Sequence, residues 1–96
     1  MPYIKPEQRS MLTGPIESLI SAMKLTADTN EDLDGVANYV ITKLLLGIFK
    51  QRRYATMARA RGCIACVADE LYRKYIAPYE DKKADENGEV YPVDRG

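Results

Sequence analysis

Apolar residues recur along this chain with a period of three to four. After Pro15, the residues Ile16, Leu19, Ile20 and Met23 fall at i, i+3, i+4 and i+7. That spacing predicts a short amphipathic helix of about three turns. Pro6 and Pro15 both suit a first helical turn, where a missing N–H costs nothing. A longer stripe follows: Leu33, Val36, Ala37, Val40, Ile41, Leu44, Leu45 and Ile48. It predicts a second helix with Asn30 as N-cap and with Glu31, Asp32 and Asp34 favourably placed against the helix dipole. Lys50, Arg52 and Arg53 stand where cations favour the helix C-terminus. Tyr39 and Leu46 lie off the main stripe, beside Lys43 and Lys50, and predict a second layer supplied by the N-terminal segment or by another copy of the chain.

A third helix is expected from about Tyr54 to Ala77, with Met57, Ile64, Ala68, Leu71 and Tyr75 as its stripe and Pro78 as its stop. Gly62 in its interior costs about 1 kcal/mol relative to alanine and marks either a close backbone approach or a kink. Beyond Pro78 the text is polar, "YEDKKADENGEVYPVDRG", with a turn signal at Asn87-Gly88. The expected fold class is therefore all-α: a small helical bundle of three main helices with a polar C-terminal tail. Residues 1–96 read as a single helical domain, of which about 79–96 form a tail or extended arm. A core this small is marginal, and self-association is a usual remedy, so a homo-oligomer is expected.

Charge changes the picture. The net charge is zero, which argues against duplex nucleic acid as a partner, yet the charges are segregated. Asp28, Glu31, Asp32 and Asp34 form an acidic block, whereas "FKQRRYATMARAR", Phe49 to Arg61, holds five cations and no acid. A solvated surface explains such runs as readily as a ligand does. Arg61 is the sharper case, because helical spacing places it within the apolar stripe beside Met57. A guanidinium there needs a phosphate, a carbonyl, or a carboxylate such as Glu17 or Asp34.

Several chemistries are excluded or disfavoured. The chain has no histidine to serve as a base for a serine or cysteine nucleophile, and no glycine-rich phosphate loop. Cys63 and Cys66 form a C-x-x-C, but mid-helix rather than at a helix N-terminus, and two thiols do not complete a zinc site. Small semi-buried side chains are the expectation for both. No enzyme activity, cofactor or catalytic residue is expected. No apolar run reaches the roughly 18 residues of a membrane span, and the N-terminus lacks a secretory h-region, so a cytoplasmic location is expected.

Seven tyrosines against one phenylalanine favour rings with one packed and one wet edge, as at interfaces, nucleotide pockets and the borders of bundle helices. Tyrosine stacked on a base with arginine on a phosphate is a recurrent pairing. The candidate ligand-binding set is Arg52, Arg53 and Arg61 for phosphate, Tyr54 and Tyr3 for base stacking, and Asn38 and Thr42 for base edges.

The motifs "MPYIKPEQR", "NYVITKLL", "APYEDKK" and "ENGEVY", in this order and over nearly the whole chain, resemble a family of short uncharacterised proteins scattered through bacteriophages, prophages and bacterial genomes. The resemblance carries no activity. It implies a small accessory protein of viral context, acting in the host cytoplasm. In size, helical class and Tyr/Arg content the chain is also similar to phage anti-CBASS sponges, small oligomers that sequester cyclic nucleotide immune signals. Two functions are thus expected in competition: capture of a cyclic nucleotide, or an adaptor or inhibitor that binds a host or phage protein through the same Tyr/Arg surface. In the adaptor case the apolar flank of the second helix is the docking groove.

Overall fold

The computed structural model describes residues 2–92 and is all-α. Four helices follow one another: α1 Pro6–Thr26, α2 Asn30–Ile48, α3 Tyr54–Leu71 and α4 Ala77–Asn87, with a π-helical turn, Tyr72–Ile76, between the last two. No strand occurs among the described residues. The contacts group the chain into two compact units, Pro2–Arg61 and a second from Gly62 onward.

In the first unit, α1 begins at Pro6 and runs 21 residues, so Pro15 lies inside it and does not start a helix. Pro15 removes only one N–H from the ladder, and the helix continues across it. Upstream, the Ser10 and Thr13 hydroxyls donate to the Pro6 and Arg9 carbonyls at 3.0 and 2.9 Å. Entry is fixed by the Lys5 N–H, which donates to Gln8 Oε1 at 3.0 Å, and by Arg9 Nε, which donates to the Ile4 carbonyl at 2.9 Å. The short link 27–29 then turns the chain into α2. Thr29, one residue earlier than expected, is the N-cap: its Oγ1 accepts the Asp32 N–H at 3.0 Å. Glu31 and Asp32 occupy the first turn, where their charge opposes the positive end of the dipole. The helix stops at Ile48, so Lys50, Arg52 and Arg53 stand beyond its end and not in its last turn.

α1 and α2 pack through a partial seam. Leu19 and Met23 on α1, Ala27 at its C-cap, and Leu33, Val36, Ala37 and Val40 on α2 are half-buried. Toward the other end of each helix, Leu12, Ile16, Ile41, Leu44 and Ile48 continue the same stripes but are exposed. The α2 stripe is thus at best half covered. Indeed no described residue of the chain is fully buried.

The second unit contains most of α3 and the C-terminal helix. Pro78 was expected to end the helical structure. Instead α3 ends at Leu71, a wide turn follows in which the Ala77 N–H reaches back to the Tyr72 carbonyl, and Pro78 falls in the first turn of α4. Proline is tolerated there, and the wide turn relieves its ring of the carbonyl four residues back. Residues 77–87 are therefore helical where a polar tail was expected. α4 ends at Gly88, whose φ of 96° suits glycine and whose N–H donates to the Ala84 carbonyl at 2.8 Å. The part of the expected tail beyond residue 92 lies outside the described residues.

Candidate ligand-binding site

The junction of α2 and α3 is built from the cation-only stretch. Phe49 caps α2 by donating its N–H to the Leu45 carbonyl at 2.9 Å and is half-buried. Residues 50–53 then carry the chain over to Tyr54, the first residue of α3, and the Arg53 carbonyl accepts the Met57 N–H at 2.9 Å. Arg59 reaches back so that its guanidinium lies 5.5 Å from the centre of the Phe49 ring. This cation–π contact staples the two ends of the junction. Sequence spacing gave no signal of it, because ten positions and a turn separate the two residues.

Arg52, Arg53 and Tyr54 are consecutive and exposed, with Tyr54 85% exposed. Met57 and Arg61 follow Tyr54 at i+3 and i+7, so the three share one face of α3, and Arg61 lies about 10 Å along the axis from Tyr54. Arg61 was expected to be packed. It is exposed, as is Met57, which is 50% exposed. Its expected carboxylate partners do not reach it: the two ion pairs among the described residues are Arg73–Glu70 at 2.7 Å and Lys83–Glu86 at 3.3 Å. The first turn of α3 carries no acidic residue. Arg52 and Arg53 thus stand unpaired among the described residues just before the positive end of the α3 dipole, with Arg61 unpaired two turns along the helix, an arrangement that favours anions.

The remaining candidates stand apart from this group. Asn38 and Thr42 are exposed one turn apart on α2, and the Thr42 hydroxyl donates to Asn38 Oδ1 at 3.5 Å. Tyr3 lies in the extended stretch before α1 and is exposed. No hydrogen bond or ion pair joins Tyr3, the Asn38–Thr42 pair and the arginines among the described residues. Cys63 and Cys66 are free and exposed, not semi-buried as expected. Gly62 has open space where a Cβ would project, so it permits no close backbone approach within the chain.

Two clefts were not foreseen as cavities. One, of about 740 Å³, lies between α1 and α2, with Leu19, Met23, Val36 and Val40 among its apolar lining and Glu31, Asp32 and Tyr39 at its polar edge. The other, of about 400 Å³, lies in the second unit, where residues after Gly88 fold back so that Val90 and Tyr91 approach Tyr72 and Tyr79. There the Tyr72 phenol is raised above its ordinary 10.0. Hydrogen bonding with Glu80 is the main cause, the Glu80 charge the next, and Asp81 adds to it. Lys83 lies 5.7 Å from the centre of the Tyr79 ring. None of the seven candidate residues lines either cleft. No cluster of metal-ligating side chains occurs among the described residues, and no helix there is long and apolar enough to cross a membrane.

A family model described as a domain of unknown function (DUF6899) matches residues 1–90 of the chain. No curated protein and no solved structure matches it.

Proposed function

We propose, for a chain that belongs to the DUF6899 family, a non-enzymatic binding protein that captures a phosphate-bearing cyclic nucleotide. In this reading it is a phage-encoded accessory protein that acts as a homo-oligomer and removes an immune signal from the host cytoplasm. The observation that carries the reading is the unpaired state, among the described residues, of Arg52 and Arg53 just before the N-terminal end of α3 and of Arg61 two turns along it, with the exposed Tyr54 ring between these positions. Guanidinium forks pair with phosphate oxygens in a planar, bidentate way, and a tyrosine face accepts a base. Tyr3 supplies a second ring, and Asn38 and Thr42 read base edges, once an oligomer brings these groups to one ligand.

A second reading, an adaptor or inhibitor that binds a host or phage protein, is favoured by a different observation. Leu46, and Tyr39 with the cleft it lines, present apolar surface with Glu31 and Asp32 at its charged edge, which is the composition of a protein-docking face. Calorimetry against a panel of cyclic di- and trinucleotides separates the two. The nucleotide reading expects stoichiometric binding that weakens about tenfold to a hundredfold in Arg53→Ala and in Arg61→Ala, from about 1.5–3 kcal/mol per charge-assisted contact. Lys83→Ala, in the second unit, is the control and should bind like wild type. Binding to no member of the panel ends this reading and leaves the adaptor.

A further inference from the structure

α2 has two faces, and one of them packs against α1 while the other lies at the edge of the cleft between the two helices. Its seam face half-buries Leu33, Val36, Ala37 and Val40 against α1. The second face carries Asp32, Gly35, Tyr39, Lys43 and Leu46, at successive intervals of three, four, four and three. Tyr39 and Leu46 are 65% and 62% exposed although both are large and apolar. The charges on this face are ordered, acid near the N-terminus and base eleven positions later, about 16 Å along the axis. Neither Asp32 nor Lys43 has an ion-pair partner among the described residues.

We infer that this face of α2 is the two-fold contact between two copies of the chain, packed antiparallel. The charge order selects the orientation. A parallel pair sets Asp32 against Asp32 and Lys43 against Lys43. An antiparallel pair whose axis crosses α2 between Ala37 and Asn38 sets each Asp32 against the second copy's Lys43. In that register each Tyr39 falls opposite the second copy's Val36 and Gly35, both of which line the 740 Å³ cleft. Gly35 offers no side chain there, and the space in its Cβ direction is open. The two clefts thus receive the two tyrosine rings reciprocally, as an isologous contact requires.

Arg52, Arg53 and Arg61 take no part in this contact, so it stands or falls independently of nucleotide capture.

Complementary charge reversal tests the contact and its register. Asp32→Lys alone and Lys43→Glu alone each turn two attractions into two repulsions and should weaken self-association at least about tenfold in sedimentation velocity. An equimolar mixture of the two variants restores opposite charges at both positions, as does the double variant in one chain, and both should recover the mass of the wild-type assembly. Circular dichroism on each variant checks that α2 still forms, and the mixture recovers association only if both chains fold. A wild type that stays monomeric at high micromolar concentration overturns the inference. So do single variants that associate like wild type, or a mixture that fails to recover.

Discussion

Leu46 offers a quantitative test of the covered face, because its single-chain environment is simple. It is 62% exposed, and a fully buried leucine is worth about 1.5–3 kcal/mol, so within one chain Leu46→Ala costs about 1 kcal/mol or less. If a second copy covers the remaining surface, each chain gains about 1–1.5 kcal/mol more, and a two-fold contact counts this twice. The assembly should then lose about 2–3 kcal/mol, a rise in dissociation constant of about thirtyfold to about 150-fold. Sedimentation equilibrium over a dilution series reads this directly. Leu25→Ala is the control: Leu25 is 86% exposed on α1 and is not part of the α2 face. The reasoning is refuted if Leu46→Ala dissociates no more readily than wild type, or if Leu25→Ala weakens the assembly equally.

Three further outcomes are expected. Thr29→Ala removes the side-chain cap of α2 and should destabilise the protein by about 1 kcal/mol in urea titration, with Thr29→Ser restoring most of it. Gly88→Ala forces a Cβ onto a φ of 96° and should cost about 1 kcal/mol or more, although no atom lies near the new methyl. Tyr72 holds its proton more tightly in the folded chain than in the unfolded one, so its contribution is full below the ordinary 10.0 and is lost as pH rises through the folded value. Glu80→Gln should bring the Tyr72 phenol back toward 10.0 in a phenolate absorbance titration, with Tyr72→Phe identifying the signal, and an unchanged titration contradicts the assignment.

The helices were legible because their signals are local. The stripe from Leu33 to Ile48 and the turn at Asn87-Gly88 were read from spacing and residue type, and α2 and the α4 C-cap stand there. Proline misled twice. Pro15 lies inside a helix that its neighbours sustain, and Pro78 starts a turn of helix after a π-helical step, so in both places context outweighed the breaker rule. Burial was not legible in the same way. The periodicity of Met57, Arg61 and Ile64 shows which face of α3 is apolar, but coverage depends on what lies opposite, and within the chain Met57 and Arg61 are exposed. For the candidate site, chain proximity made Arg52, Arg53 and Tyr54 readable as a group. The Arg59–Phe49 contact and the cleft beside Tyr39 arise from the turns between helices, whose geometry no spacing rule reports.

Native mass spectrometry of the purified protein tests the central claim most directly, because it reports subunit number and retained small molecules together. The expected result is a species of at least twice 10.8 kDa that carries additional mass, releasing a phosphate-bearing nucleotide on denaturation and losing it in Arg53→Ala. A single species at 10.8 kDa, with nothing retained and nothing captured when cyclic nucleotides are added, contradicts both the assembly and the ligand.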